Sequence, residues 1–160
     1  MIRSCREDER PAILAIVNAA AEAYRAVIPA DRWHEPYMQE QELDSEIAAG
    51  VVFWGHEDQG ALTGVMGIQH VRDVQLIRHA YVLPAAQGGG VGRALLEHLV
   101  ERSDAPLLVG TWATAGWAIR FYERNGFTLV PPARKDELLS EYWDIPDRQI
   151  ATSVVLERRR

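Results

Sequence analysis

The sequence predicts an α+β (mixed α/β) fold: a central mixed, largely antiparallel sheet of about seven strands flanked by helices on both faces. Residues 51–83 read as three consecutive strands joined by short polar turns, an antiparallel meander. Beyond them, strands alternate with amphipathic helices, so the sheet must be mixed and both of its faces need cover. With 160 residues and 48% hydrophobic content, the chain is long enough for one core and too short for two ordinary domains. A single domain over 1–160 is expected.

Met1 to Cys5 supplies a short first strand. Asp8 is read as the N-cap of a first helix in which Pro11 sits early and Ile13, Ile16, Val17, Ala20 and Tyr24 share a face. Pro29 and Pro36 interrupt the pattern and bound an aromatic loop, after which a helix from about Met38 to Ala49 is closed by Gly50. The meander strands run roughly Val51 to Glu57, Leu62 to Val71 and Gln75 to Leu83. A glycine-opened helix then carries Val91, Leu95 and Leu99 on one face and ends at Ser103 to Pro106; Leu107 to Thr111 is a short buried strand. Another helix, from about Thr114 to Asn125, stops at Gly126, and Phe127 to Val130 and Ile150 to Leu156 complete the strands. Pro131 to Pro146 is an insertion bearing Leu138, Leu139, Tyr142 and Trp143, a candidate lid.

The most informative run is Tyr81 to Leu96, where a strand feeds a turn holding Gly88, Gly89, Gly90 and Gly92 that opens directly into a helix. Glycines allow close backbone approach, and the first helical turn offers free N–H groups at the positive end of the dipole, so an anionic ligand is expected. A P-loop would need Gly-Lys-Ser or Gly-Lys-Thr, but Gly92 precedes Arg93-Ala94. A dinucleotide fingerprint fails because Arg93 or Leu95 stands where its last glycine or alanine belongs.

What remains, Gln87-x-x-Gly90-x-Gly92 after a Val-x-Pro turn, resembles the acetyl-CoA pyrophosphate loop of the GNAT N-acetyltransferases. About thirty residues on, Trp117 to Phe127 is similar to the family's second signature, a helix bearing A-I-x-x-Y that ends at Gly-Phe. The resemblance spans nearly the whole chain. It implies a GNAT-like fold, acetyl-CoA (coenzyme A) as cofactor, and direct attack of an amine on the thioester in a ternary complex. The pantetheine arm would lie along the backbone at Val82 and Leu83, where the fourth strand splays from the fifth. The pyrophosphate would rest on Gly88, Gly89, Gly90, Val91, Gly92 and Arg93, with Gln87 closing one side. One departure stands out: relatives often carry Asn where this chain has Ala115, which weakens one cofactor contact.

Tyr122, in the A-I-x-x-Y position, is the implied acid for the departing thiolate; a phenol near pKa ~10 can protonate sulfur while remaining neutral. An alkylamine acceptor near pKa ~10.4 must lose a proton at neutral pH, which calls for a base. Relatives often place a glutamate on the fourth strand, but Gln75 to Tyr81 holds no carboxylate, so His79 is the substitute, with His34 and Glu35 as alternatives. Tyr24, Trp33, His34, Glu35, Tyr37, Tyr142 and Trp143 are expected to bind the acceptor, aromatics and a carboxylate suiting an ammonium group. Trp112 and Trp117 are expected to pack the fifth strand and following helix.

The resulting expectation is an N-acetyltransferase of a small-molecule amine. A protein or peptide acetyltransferase and a non-catalytic acyl-CoA-binding module are the alternatives. The net charge of −6 argues against nucleic acid, and Arg158-Arg159-Arg160 reads as a frayed tail. The sequence holds no ~20-residue apolar run for a membrane, no signal-peptide pattern and one cysteine, Cys5, so a cytoplasmic location is expected. The five histidines form no helical metal pair, and no metal is expected. A homodimer is expected through an apolar edge at Val154, Val155 and Leu156.

Overall fold

The computed structural model describes residues 1–159. Its seven-stranded sheet has the order β1-β2-β3-β4-β5-β7-β6, from β1 (Ile2–Ser4), β2 (Val52–Asp58), β3 (Ala61–Val71), β4 (Val74–Val82), β5 (Leu107–Trp112), β6 (Thr128–Leu129) and β7 (Ser153–Arg158). Among the described residues only β4 and β5 pair in parallel. Six helices cover it: α1 (Arg10–Ala21), α2 (Glu40–Ala48), α3 (Val91–Arg102), α4 (Gly116–Arg124), α5 (Pro132–Tyr142) and α6 (Asp147–Ala151). No helix among the described residues is long and apolar enough to cross a membrane.

Alternating side chains divide the core between the two faces. Leu107 and Val109 of β5 join Leu95 and Leu99 of α3 and Tyr122 of α4. Leu108, between them, points the other way and joins Leu139 of α5, while α1 and α2 pack the same face further along through Val17, Leu43 and Val65. The face shared by α2 and α5 therefore has a gap between two separate apolar clusters.

Several expectations change. Asp8 is not the N-cap: it lies in a 3-10 turn, and Glu9 accepts the Arg6 N–H at 2.7 Å. That carboxylate is itself held by Arg3 at 2.8 Å. Tyr24 lies beyond the end of α1 in a further 3-10 turn. The 131–146 insertion is an eleven-residue helix, and the short α6 displaces the start of β7 from Ile150 to Ser153. β7 is no edge, because β5 and β6 flank it and Val155 and Leu156 are fully buried. That removes the stated basis for a dimer contact there. Arg158 belongs to β7 and donates to the Asn125 carbonyl at 2.9 Å, so the tail is anchored at that residue; Arg160 lies outside the described residues.

Two departures from regular pairing shape the centre. β4 and β5 pair only from Gln75 with Leu107 to Ile77 with Val109, and then diverge while β5 stays paired to β7. Opposite, β4 carries a bulge: Val65 and Gly67 of β3 face Tyr81 and Arg78, leaving two residues of β4 against one of β3. The extra residue is His79, with a left-handed φ of 54°. Gly67 permits this approach, since a Cβ there would lie 2.8 Å from the Arg78 carbonyl oxygen.

Candidate active site

The glycine turn and α3 form one wall. Gly90 is the N-cap of α3 at φ 83°, a conformation glycine adopts without the cost borne by other residues. A Cβ at Gly88 or Gly90 would meet nothing within 4 Å, so the space over this turn is open. The first N–H groups of α3, from Val91 to Arg93, precede the first α-helical bond, donated by Ala94 to the Gly90 carbonyl at 2.9 Å. The Arg93 side chain turns away to Glu97 at 2.9 Å.

Between this wall and the splayed part of β4 runs a cavity of about 530 Å³ whose lining includes Val82, Gln87, Gly92, Trp117, Phe121 and Tyr122. A second cavity, about 170 Å³, lies across the splay and is bounded by Tyr37, His79, Thr111, Trp143 and Gln149 among others. Tyr24, Ala80, Tyr81 and Tyr122 line both. A third, about 130 Å³, adjoins His79 and includes Arg32, His34 and Glu42.

Tyr122 is 6% exposed. Burial first, and then Tyr24, pushes its phenol above the ordinary range, so it remains protonated. Burial raises Tyr24, Tyr37 and Tyr81 in the same way. Where the two cavities meet, the structure presents a cluster of neutral phenols.

The bulge decides where His79 points. In an unbroken strand Arg78 and His79 would face opposite sides; here both reach Glu46 on α2. His79 Nε2 lies 2.5 Å from Glu46 Oε2, and Arg78 Nη2 donates to Glu46 Oε1 at 2.9 Å. The ring is stacked near Phe53 and Tyr81, with centroids 6.2 and 6.5 Å away. Burial alone would raise the Glu46 carboxyl, but the close contact with His79 and the charges of His79 and Arg78 outweigh it and hold Glu46 below the usual range. Glu46 carries no local signal of its own in the sequence: it is one of three glutamates in α2, with Glu40 and Glu42.

The other candidates divide. Tyr24, Tyr37 and Trp143 line the second cavity, Trp143 lying over Gly110, where a Cβ would meet its ring at 3.5 Å. Trp33 and Glu35 line none of the three cavities. Trp33 backs Tyr37 at 5.3 Å, and exposed Glu35 takes its Nε1–H at 2.8 Å and Arg25 at 2.6 Å, so that carboxylate is engaged outside the site. His34 reaches only the third cavity, with Nδ1 3.3 Å from the Pro36 carbonyl. Tyr142 donates to Asp73 at 2.6 Å instead of facing the site. Leu83 lines neither large cavity: its N–H is spent on Thr63 and its carbonyl on Ala86. Gln87 folds back to donate to the Val82 carbonyl at 3.2 Å. Trp117, expected to pack inward, is 40% exposed at the mouth of the large cavity against Tyr24. Ala115 is fully buried at the N-cap of α4. Gln149, Thr111 and Trp112 enter the site without a local sequence signal.

Beside the second cavity, Arg148 donates to Asp31 at 2.9 Å and Arg32 to Gln149 at 3.1 Å, tying α6, which follows the 131–146 insertion, to the loop between Pro29 and Pro36.

A splayed mixed sheet with a glycine-turned helix at the splay defines a class, and comparison agrees. The family model for the acetyltransferase (GNAT) domain matches residues 49–129, just over half of the chain, and the protein belongs to the GNAT N-acetyltransferase family. It is 28% identical over 145 residues to the peptidyl-lysine N-acetyltransferase YiaC of Escherichia coli (strain K12), covering 89% of this chain and 93% of that protein. Its fold is similar to the PaiA N-acetyltransferase of Thermoplasma acidophilum, solved in complex with coenzyme A, at a TM-score of 0.74 and 15% identity over 100% of this chain and 98% of that one. The ribosomal-protein-S18-alanine N-acetyltransferase of Escherichia coli follows at 0.69 and 22%, covering 99% and 92%. The family uses acetyl-CoA, and the open glycine turn, free helical N–H groups and long cavity fit that cofactor.

Proposed function

We propose that residues 1–160 act as one catalytic domain that transfers the acetyl group of acetyl-CoA to a small-molecule primary amine. The observation that carries this reading is that Tyr24, Ala80, Tyr81 and Tyr122 line both larger cavities, so a donor channel and an acceptor pocket meet at a cluster of phenols that includes Tyr122. The N–H groups from Gly88 to Arg93 would hold the pyrophosphate, and Val82 with Phe121 would border the pantetheine arm. Acetyl-CoA supplies the activated acyl group as a thioester.

The rest falls to this chain. His79 accepts one proton from the acceptor ammonium, leaving a neutral amine for attack. Tyr122 gives its hydroxyl proton to the departing sulfur, and the second nitrogen proton, released as the amide forms, restores the phenol. The His79 proton passes to solvent afterwards. Tyr24, Tyr37 and Trp143 surround the amine with aromatic surface that stabilises a cation before deprotonation and sheds water. The small volume of the second cavity, about 170 Å³, supports a small acceptor. A cavity open on the acceptor side speaks against an idle acyl-CoA-binding module.

A lysine side chain on a peptide is the second reading, favoured by the likeness to a peptidyl-lysine N-acetyltransferase. Thiol release measured with acetyl-CoA and a panel of polyamines, aminoglycosides and amino acids, beside lysine peptides and peptides with a free N-terminus, separates them. The proposal expects the highest kcat/KM for a free amine; a peptide preferred over every free amine refutes it.

A further inference from the structure

The fourth strand carries no carboxylate of its own in residues 75–81, but one reaches its bulge from another element. Glu46 reaches His79 from α2, thirty-two residues away in sequence for its neighbour Arg78, and the pair is largely withdrawn from water, at 17% and 20% side-chain exposure. A histidine with one ring nitrogen on a carboxylate is an oriented base: a carboxylate that accepts one N–H leaves the lone pair on the other nitrogen. The direction of the Glu46 shift agrees, because the carboxyl stays ionised despite burial.

We propose that Glu46 is the positioning residue of the acceptor side, its carboxylate taking the Nε2–H of His79 so that Nδ1 accepts the proton of the substrate ammonium. The proton balance is simple. The ammonium N–H bond breaks, an Nδ1–H bond forms, and the imidazolium rests beside a carboxylate already in place, so no new charge is left uncompensated. The stacked Phe53 and Tyr81 rings fix the plane, and the left-handed backbone at His79 aims it. Arg78 takes the other oxygen and prevents the carboxylate from rotating off the ring.

This inference rests on the reading of His79 as the base, and the test separates the two. Long-range 1H–15N NMR on the protein without ligand should find His79 as the Nε2–H tautomer, and Glu46→Gln should lose that preference. Glu46→Gln should also lower kcat about 10- to 100-fold, with acetyl-CoA affinity by calorimetry and the melting temperature nearly unchanged. In a His79→Gln background the same change should have no further effect, whereas a purely structural role would add its loss to that of His79. If His79→Gln is inactive while folded Glu46→Gln turns over within about twofold of wild type, Glu46 is not a positioning residue and the base assignment stands. If His79→Gln keeps full turnover, the base reading falls and this one with it. Should Glu46→Gln fail to fold, an Nδ1–H tautomer in the wild-type protein alone overturns the proposal.

Discussion

The donor and acceptor sides of this site are built on opposite principles. The phosphate cradle of the donor side is local: a strand, four glycines and the helix they open lie within residues 74–102, and the backbone supplies the chemistry. The acceptor side is assembled from distant pieces, with Tyr24 after α1, Tyr37 before α2, Glu46 on α2, His79 in the bulge of β4, Trp143 after α5 and Gln149 in α6. A site made of backbone N–H groups tolerates side-chain change so long as the turn survives. A site made of converging side chains fails when one of them moves.

The sharpest test of that contrast is at the junction. Tyr122→Phe removes only a hydroxyl from a buried ring and should lower kcat about 10²- to 10⁴-fold, with coenzyme A affinity by calorimetry unaltered. Equal turnover would make Tyr122 a packing residue shared by both sides.

Gly90→Val tests the backbone side. A β-branched residue at φ 83° is strained by about 1–2 kcal/mol, and its Cβ enters the open space over the turn. Coenzyme A affinity should fall at least about tenfold while the melting temperature drops modestly. Gly64→Val is the control for stability: its Cβ would lie 2.7 Å from Val91 Cγ1 and 3.3 Å from the Tyr81 carbonyl oxygen, so the packing of Val91 must give at a cost of about 1–3 kcal/mol. That variant should melt lower.

Trp143→Ala should raise the acceptor KM about tenfold and leave coenzyme A affinity unchanged, because Trp143 lines only the second cavity. A change in coenzyme A affinity would mean the two sides are not separable.

The smallest effect is expected far from both. Hydrogen bonds from Arg3 hold the Glu9 carboxyl down to about 2. Its folded value lies below the usual ~4.3, so it stabilises the protein above that pH and the contribution fades as pH falls toward 2. Glu9→Gln should cost about 1 kcal/mol at pH 7, discounted for partial solvent screening, and nothing near pH 2. Thermal melts across that range check it, with activity at neutral pH unchanged.

Local patterns determined the element order, the meander, the glycine-opened helix and the left-handed caps at Gly50 and Gly126, at φ 106° and 88°. Those features depend on nearest neighbours along the chain: periodicity, glycine conformational freedom and free helical N–H groups act over one or two turns. Tyr122 was legible for a similar reason, through its motif. Tertiary structure alone decided that Glu46 meets His79, that Glu35 faces Arg25 instead of the acceptor, and that β7 lies inside the sheet. No period within one segment encodes those contacts. The β4 bulge shows the physical reason: one extra residue, permitted by Gly67 on the neighbouring strand, breaks the alternation from which a side chain's face is read and turns His79 toward a carboxylate on another helix.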